Sequence, residues 1–259
     1  MRTPLVALTV FAMTAFYGPI VILAHLLGIK ERPGSIYERC MRAWARAVNA
    51  AAGIRVHLHG AEHIPTRTGA VYIANHVSWF DIFALAAVLP RYTFIAKAEL
   101  RRLPLFGSAA ERAGIVFIDR DNRKAAFESY KRAATDVQRG RSIIVCPEGT
   151  RGHDYHLRPF KKGPFVLAIA SQSPIVPTVV YGAREVMPKG SFWISSGDVH
   201  VHCFEPIATA GFDYEHRGEL MKQVWTRMAD GLRELYGVGT TEAPLAAEQE
   251  QADPSLRSG

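Results

Sequence analysis

Residues 70–90 read AVYIANHVSWFDIFALAAVLP, and this stretch determines the expected fold. Residues 70–74 form a short apolar run with β-branched and aromatic side chains, which predicts a buried strand. Residues 82–89 have the apolar content of a helix that ends before Pro90. A strand that leads directly into a helix is typical of an α/β sheet, and such sheets bind ligands at the loops that leave their strands.

The loop between this strand and this helix contains a histidine and an aspartate, His76 and Asp81. Their separation along the chain lets the carboxylate accept a hydrogen bond from one ring nitrogen of the histidine. Such a bond would fix the tautomer and leave the other nitrogen free to act as a general base. The alternative is that the histidine only caps the helix while the aspartate pairs with a nearby arginine.

Further strands and helices alternate along the chain. Patterning predicts strands at residues 54–60, 92–96, 114–120, 142–146, 175–181, 192–194 and 199–204, and helices at 123–139, 219–236 and a short segment that ends at 170. The last two strands are expected to form a hairpin around residues 196–198. We therefore expect an α/β fold with a mixed β-sheet flanked by helices.

Composition limits the class of protein and its partners. The chain has 259 residues, of which 48% are hydrophobic, enough for one large domain with a full core. Its formal net charge of +7 attracts anions such as phosphorylated substrates or an anionic membrane surface. No nucleic-acid-binding motif is present in the sequence, so a nucleic-acid partner is not expected. Three widely spaced cysteines predict no disulfide framework and a reducing compartment.

The first part of the chain is expected to attach the protein to a membrane. Residues 5–29 contain no acidic or basic side chain other than His25, and an apolar segment of that length can cross a bilayer. Gly18 and Pro19 interrupt it, so a kinked span and a helix that enters one leaflet are both open. A cleaved signal peptide is the remaining alternative.

Residues 35–51 predict a second helix, with Arg39, Arg42 and Arg46 on one stripe. A basic amphipathic helix after an apolar segment is expected to lie in the headgroup layer, and packing on the core is the alternative. If the first segment spans the bilayer, these arginines place the body in the cytoplasm. The predicted organisation is a membrane-anchoring region at 1–52, a soluble catalytic domain at 53–238 and a disordered tail at 239–259.

Histidines occur in two groups that resemble metal ligands at first sight. His57, His59 and His63 lie in and after the first predicted strand, and His200 and His202 lie in the last one. No cysteine or carboxylate completes the first set nearby, and histidines two apart on a strand are more often found on a solvated face. The second group receives the same interpretation. We therefore predict no metal site.

Two more charged loops follow predicted strands. Asp119 and Arg120 end one strand, and the loop after another contains Glu148 and Arg151. In a sheet these loops can meet the histidine loop at one edge, where the planar guanidinium groups suit a phosphate. Each pair also has a local interpretation, as an ion pair between its own two members.

In order and spacing, these loops resemble those of the PlsC-type glycerolipid acyltransferases, the 1-acylglycerol-3-phosphate acyltransferase superfamily. The resemblance rests on an NHxxxxD motif at 75–81, KAELRRLPLFG at 97–107, GIVFIDR at 114–120, PEGTR at 147–151 and IVPT at 175–178. It covers roughly residues 53–206. Cys146 and Gly152 stand where the family commonly has Phe and Ser.

The resemblance implies transfer of a fatty acyl group from an acyl-CoA or acyl-carrier-protein thioester to the sn-2 hydroxyl of 1-acylglycerol-3-phosphate, giving phosphatidic acid. His76 would be the general base, and Asp81 would hold its ring and stabilise its positive charge. The implied substrate-binding residues are Lys97, Arg120, Glu148, Gly149, Thr150 and Arg151, with the two arginines on the acceptor phosphate and Glu148 ordering Arg151 or touching the glycerol. No cofactor is implied. The implied location is the cytoplasmic face of the inner membrane, in contact with lipid.

Three alternatives stay open. The acceptor could be another lysolipid, such as a lyso-ornithine lipid or a lysophospholipid. A membrane-bound esterase would use Ser78 or Cys146 with His76, but the sequence has no G-x-S-x-G elbow, and a thioester needs no acyl-enzyme. A non-catalytic protein that binds anionic lipid would explain the charge but not the pairing of His76 with Asp81.

Overall fold

The computed structural model of the protein describes residues 2–119 and 122–239. The helices are α1 Thr3–Leu26, α2 Ile36–Ala52, α3 Phe80–Val88, α4 Phe106–Arg112, α5 Arg123–Gln138, α6 Gly163–Ser171, α7 Ala183–Val186 and α8 Arg217–Tyr236. The strands are β1 Ile54–His59, β2 Val71–Ala74, β3 Tyr92–Lys97, β4 Val116–Ile118, β5 Ser142–Val145, β6 Ile175–Tyr181 and β7 Gly197–Cys203. The predicted tail at 239–259 lies outside the described residues apart from Gly239.

The described strands form one sheet in the order β1-β7-β6-β2-β5-β3-β4. Strands β2 to β6 are parallel: β2 pairs with β5 and β6, and β3 pairs with β4 and β5. Strand β7 runs antiparallel to β6 and parallel to β1, so the sheet is mixed, and the predicted α/β class is confirmed. The carboxyl ends of β2 and its neighbour β5 lie at the same edge, where the loops that follow them meet.

Strand β2 is buried on both faces, which explains its uninterrupted apolar sequence. Tyr72 and Ala74 belong to the core formed with α2 and α3, whereas Val71 and Ile73 belong to the core formed with α5, α6 and α8. Because β2 is central and enclosed in this way, the sheet gives a rigid starting point to the loop at residues 75–81.

The predicted hairpin around residues 196–198 is wrong. Residues 192–194 form no strand, because the first turn of α1 uses their backbone groups. Thr3 Oγ1 donates to the Phe192 carbonyl at 2.8 Å and accepts from Ile194 N–H at 3.1 Å. Strand β7 pairs instead with β6 and β1, and the segment that connects β6 to β7 contains α7.

Helix α2 packs against α1 and α3. Arg42 donates to the carbonyls of Ala87 and Leu89 at 3.2 and 2.6 Å, and Arg46 donates to that of Ala87 at 3.3 Å. Cations near the carboxyl end of a helix are stabilising, so these two arginines stabilise the end of α3. These bonds favour the alternative that α2 packs on the core, and contact of Arg39 and of the region 1–52 with lipid stays a prediction.

Helix α1 is the one described helix that is long and apolar enough to cross a membrane. It continues through Pro19 without a break. One stripe is buried against the protein, at Val6, Gly18, Val21 and Ala24. The other side exposes large apolar side chains, at Leu5, Leu8, Phe11, Phe16, Leu23 and Leu26. The helix therefore packs along the protein on one side and presents an apolar surface on the other.

Candidate active site

His76 and Asp81 make the contact that their spacing predicts. Nδ1 of the histidine lies 2.9 Å from Oδ2 of the aspartate. The Asp81 side chain is fully buried, while 16% of the His76 side chain is exposed. A carboxylate can only accept, so it holds the proton on Nδ1 and leaves a lone pair on Nε2. Among the described residues, none forms a hydrogen bond with Nε2.

Asp81 also fixes the backbone of the loop. Its Oδ2 accepts hydrogen bonds from Val77 N–H and Ser78 N–H at 2.7 and 2.8 Å. Ser78 Oγ in turn donates to the Met187 carbonyl at 2.8 Å and accepts from Phe80 N–H at 3.2 Å. The hydroxyl is therefore engaged in holding the loop, which is consistent with the expectation that Ser78 is not a nucleophile.

Asn75, the first residue after β2, has a structural role that the sequence did not reveal. Its side chain exchanges two hydrogen bonds with the backbone of Val180. Nδ2 donates to the carbonyl at 3.0 Å, and Oδ1 accepts from N–H at 2.7 Å. These bonds extend the link between β2 and β6 beyond the end of β2, so the loop begins at a fixed point directly before His76.

Glu148 connects the loop after β5 with the histidine loop. Its Oε1 accepts from His76 N–H at 3.0 Å, and its Oε2 accepts from Arg158 Nε at 2.9 Å. Burial raises the pKa of Glu148, and the hydrogen bonds from Arg158 and His76 act in the opposite direction. Glu148 thus orders Arg158, and in the described residues no hydrogen bond or ion pair joins it to Arg151; its alternative role, contact with the glycerol, stays a prediction. Sequence reasoning missed Arg158, which lies outside the recognisable motif.

Arg151 lies over the face of Trp79, with its Cζ atom 5.0 Å from the ring centroid. Burial lowers the pKa of Arg151, while the negative charge of Asp81 acts in the opposite direction. The contact with Trp79, a residue of the histidine loop, places the guanidinium beside that loop. Arg151 forms no hydrogen bond or ion pair with any other residue in the described ranges, so its donors are accessible to a ligand.

Gly149 and Thr150 contribute backbone to the same loop. Gly149 has a φ of 79°, in the left-handed region that favours glycine. The Thr150 carbonyl accepts a hydrogen bond from the Arg158 guanidinium. Gly152 N–H donates to the His76 carbonyl at 2.7 Å and joins the two loops again. These contacts shape the loop, and a direct contact of Gly149 or Thr150 with substrate stays a prediction.

Two predicted substrate-binding residues remain to be placed. Lys97 ends β3 and forms an exposed ion pair with Glu99, with 2.5 Å between Nζ and Oε1. The hydrogen bond from Lys97 lowers the pKa of Glu99. Arg120 lies outside the described residues, so its role on a phosphate stays a prediction. The structure thus brings together His76, Asp81, Glu148 and the loop that carries Arg151.

The amino-acid sequence of the chain is similar to those of known proteins. A family profile described as Acyltransferase matches residues 55–181. The chain is 32% identical to the 1-acyl-sn-glycerol-3-phosphate acyltransferase of Saccharomyces cerevisiae, over 91% of this chain and 78% of the yeast protein. It is 35% identical to the human 1-acyl-sn-glycerol-3-phosphate acyltransferase alpha, over 87% of this chain and 81% of the human protein. The chain belongs to the PlsC-type acyltransferase family.

The fold of this family member is also similar to a solved structure. The crystal structure of PlsC, the 1-acyl-sn-glycerophosphate (LPA) acyltransferase of Thermotoga maritima, matches with a TM-score of 0.75 and 26% identity. The match covers 93% of this chain and 100% of that one. Some relatives are longer: the chain spans 45% of the chloroplastic 1-acyl-sn-glycerol-3-phosphate acyltransferase BAT2 of Brassica napus and 59% of the Cocos nucifera acyltransferase.

The site of this acyltransferase family member combines two chemical abilities. The His76 ring, oriented through Nδ1, can accept a proton at Nε2. Arg151, stacked on Trp79, can bind an anion through its planar donor edge. A base and an anion-binding group on adjacent loops are what proton abstraction from an anionic alcohol requires.

Proposed function

We propose that the protein transfers a fatty acyl group from a thioester donor, acyl-CoA or acyl-acyl carrier protein, to the sn-2 hydroxyl of 1-acylglycerol-3-phosphate. The observation that carries this proposal is the His76 ring, held through Nδ1 by the buried Asp81. The yeast and human relatives support the choice of acceptor, since both are named 1-acyl-sn-glycerol-3-phosphate acyltransferases. The products are phosphatidic acid and the free thiol of the donor.

His76 acts as a general base and then as a general acid. Nε2 takes the proton of the sn-2 hydroxyl while the hydroxyl oxygen attacks the thioester carbonyl carbon. When the tetrahedral intermediate collapses, the C–S bond breaks and the leaving sulfur takes the proton from the imidazolium. Asp81 stabilises the positive charge on the ring and keeps its orientation throughout. The thioester is already activated, so no acyl-enzyme is needed.

Arg151 is the group that we assign to the acceptor phosphate. Its stacking on Trp79 restricts the guanidinium plane and leaves the N–H edge for two parallel charge-assisted bonds to phosphate oxygens. The structural ion pair of the loop uses Arg158 instead, because that arginine is bonded to the buried Glu148. Arg120 is expected to be the second phosphate ligand, on the strength of the sequence resemblance.

We further propose that α1 lies in one leaflet and does not cross the bilayer. Thr3 bonds its first turn to the loop before β7, and Thr14 Oγ1 in its middle accepts from Trp44 Nε1 at 3.1 Å. Near its end, Val21 packs in a cluster with Tyr37. The helix has 24 residues, which makes it about 36 Å long. Because the helix contacts the protein body along that whole length, we expect it to lie parallel to the membrane plane with its exposed side inserted in one leaflet.

The loop before β7 enlarges this apolar surface. Phe192 and Trp193 are 82% and 61% exposed, next to the start of α1. Aromatic rings in this position suit the boundary between water and lipid. Met187, at the beginning of the same segment, accepts the hydrogen bond of Ser78. We therefore expect the lipid acceptor to reach the histidine loop from this side; attachment to the cytoplasmic face stays a prediction.

An acyl-transfer assay with purified protein in lipid vesicles tests the proposed reaction. The acceptors are 1-acylglycerol-3-phosphate, monoacylglycerol, lysophosphatidylcholine and a lyso-ornithine lipid, each offered with acyl-CoA and with acyl-acyl carrier protein. We expect efficient transfer only to 1-acylglycerol-3-phosphate. Equal transfer to monoacylglycerol would contradict the phosphate assignment, and donor hydrolysis without transfer would favour an esterase. The two donor series identify the thiol carrier.

Labelling with a membrane-impermeant thiol reagent tests the position of α1. Single cysteines at Arg2 and Gly28, in a chain without Cys40, Cys146 and Cys203, mark the two ends of the helix. Both ends are expected to react from the same side of sealed membranes. Reaction from opposite sides would show that α1 crosses the bilayer.

A further inference from the structure

Four histidines that lie far apart in the sequence form one cluster near the edge of the sheet. Strands β1 and β7 pair in parallel, with His57 opposite His200 and His59 opposite His202. Residues two apart on a strand share a face, so all four imidazoles lie on one face of the sheet. The rings are stacked, with centroid separations of 4.8 Å for His57 and His200 and 4.3 Å for His59 and His202.

The prediction of no metal site assumed that the two histidine groups are separate, and the pairing of β1 with β7 shows that they are not. That prediction considered the two histidine groups separately and found each incomplete. In the folded chain, His59, His200 and His202 each offer a ring nitrogen, and these three nitrogens lie within 4.8 Å of one another. We propose that these three histidines bind a divalent transition-metal ion of the Zn²⁺, Co²⁺ or Ni²⁺ class.

The distances fit such an ion after small side-chain movements. His59 Nε2 and His200 Nδ1 are 3.0 Å apart. Imidazole nitrogens that share a tetrahedral Zn²⁺ ion at about 2.0–2.1 Å lie roughly 3.3 Å from each other. This pair is therefore close to its ligand separation. The third ring, His202, offers a nitrogen within 4.8 Å of the other two, so a small change of side-chain torsions brings it to the same separation.

Neighbouring side chains hold the rings in the way that outer partners hold metal-bound histidines. The Tyr236 hydroxyl lies 2.6 Å from His202 Nε2, and the Tyr236 ring stacks on Tyr181 with 3.6 Å between centroids. His57 Nε2 lies 2.7 Å from Asp198 Oδ1, so the fourth histidine is held beside the site by a carboxylate. The Tyr236 hydroxyl thus orients one of the three ligand rings, and His57 lies beside the site without being a ligand.

Three imidazole ligands leave a fourth position for water on a four-coordinate ion.

The cluster is separate from the site of acyl transfer. It lies on β1 and β7, and β6 stands between β7 and β2, the strand that leads to His76. An ion bound to His59 and His202 would join the edge strand β1 to β7. Because the ion would bind the folded chain, we expect it to raise the melting temperature and to take no part in the transfer.

Metal titration of the untagged full-length protein tests the proposal. We expect one equivalent of Co²⁺ to give the visible absorption of a four-coordinate ion with imidazole ligands, and Zn²⁺ to displace it. His59→Asn and His200→Asn are expected to weaken binding on the order of 100-fold or more, and Tyr236→Phe about 10-fold. His156→Asn is the matched control, since this exposed histidine lies beside Asp154 and outside the cluster.

Circular dichroism and melting curves without metal distinguish a lost ligand from a lost fold. Metal should raise the melting temperature of the wild-type and His156→Asn proteins but not that of His59→Asn. Absence of saturable one-equivalent binding by the wild-type protein would overturn the proposal, and so would equal affinity in the cluster variants. A sulfur-to-cobalt charge-transfer band in the wild-type spectrum would also overturn it, because that band would place the ion on a cysteine.

Discussion

The histidine loop after β2 and the histidine cluster on β1 and β7 use the same side chain in different surroundings. In the loop, a single ring is bonded through Nδ1 to the fully buried Asp81. The backbone of His76 is also bonded, through its N–H to Glu148. In the cluster, the rings contact each other at a partly exposed sheet edge, and His59 meets His200 nitrogen to nitrogen.

The difference shows how surroundings determine what an imidazole can do. A general base needs one tautomer and one direction, so its neighbours must hold it before the substrate arrives. A metal ion can gather rings that still rotate, because the ion itself supplies the force that orders them. We therefore assign proton transfer to the histidine on the buried carboxylate, and propose coordination for the histidines that meet across adjacent strands.

The largest effect that would test this contrast is expected at His76. His76→Ala removes the base and should lower kcat/KM by about 10²–10⁴-fold, without loss of the fold. Asp81→Asn should be nearly as damaging, because an amide can hold the wrong tautomer. The measurement is steady-state transfer to 1-acylglycerol-3-phosphate, with circular dichroism to confirm folding.

His216→Ala is the matched control for these two variants. Its ring also contacts an aspartate, with 2.7 Å between Nδ1 and Asp213 Oδ1, but it is exposed and lies at the start of α8. We expect full activity from this variant. Near-normal turnover by His76→Ala would contradict the role of His76 as the general base.

The next largest effect is expected at Arg151. It tests whether the site binds the phosphate of the acceptor next to the general base. Arg151→Ala should raise the acceptor KM by about 10–150-fold, which corresponds to about 1.5–3 kcal/mol for a charge-assisted contact, with little change in the donor KM. Arg151→Lys should recover only part of this, because an ammonium group cannot make the two parallel bonds.

Arg139→Ala is the control for Arg151, since Arg139 is exposed at the end of α5. It should leave both KM values unchanged. If Arg151 were only structural, its loss would lower the melting temperature and would change both KM values and kcat together. An unchanged acceptor KM in both Arg151 variants would favour a neutral acceptor.

A third variant tests whether the backbone of the histidine loop depends on a buried carboxylate. Arg158→Ala leaves Glu148, whose side chain is 2% exposed, without its cation. We expect the free energy of unfolding to fall by about 1.5–3 kcal/mol and kcat to fall more than the acceptor KM rises. Urea unfolding and steady-state kinetics measure the two effects.

The double variant Arg158→Ala/Glu148→Gln makes this test specific. A neutral amide needs no cation, so the double variant should recover part of the stability that Arg158→Ala loses, and a double-mutant cycle should show coupling. Additive effects of the two substitutions would mean that the bond between Arg158 and Glu148 contributes nothing to the loop.

The sequence predicted those parts of the fold and site that depend on local spacing. The β2 strand, the α3 helix and the contact between His76 and Asp81 all follow from residues within one short segment. The amphipathic pattern of α2 was also recognised. That pattern is the same whether its arginines face lipid or the end of a neighbouring helix, so the sequence could not show that Arg42 caps α3.

Contacts between distant segments could not be predicted in this way. Asn75 bonds to Val180, 105 residues away, and nothing in the local pattern indicates that partner. The histidines of β1 and β7 meet across 141 residues, because the register of two parallel strands brings them together. The supposed hairpin failed for the same reason, since the partner of residues 192–194 is the first turn of α1.

The smallest effect is expected at Ser78, and it tests whether His76 is the only reactive side chain of the loop. Ser78→Ala removes the donor to the Met187 carbonyl and the acceptor for Phe80 N–H, which should cost about 1–2 kcal/mol in the free energy of unfolding. Acyl transfer should stay within the same order of magnitude, because the base and its aspartate are intact. Ser129→Ala is the control, since this buried hydroxyl donates to the Ala125 carbonyl at 2.9 Å, far along the chain from the loop.

The two serine variants are therefore expected to keep similar activity, and Ser129→Ala is expected to lose less stability, because alanine is the better helix former. If Ser78 were a nucleophile, its substitution would be as damaging as His76→Ala, and mass spectrometry after incubation with donor alone would find an acyl group on Ser78. Either result would make the loop a hydrolase-like dyad, with Met187 releasing its hydrogen bond during the reaction. Retained transfer without acylation would instead show that the Ser78 hydroxyl only stabilises the loop. The proton is then transferred by His76 alone, held by Asp81.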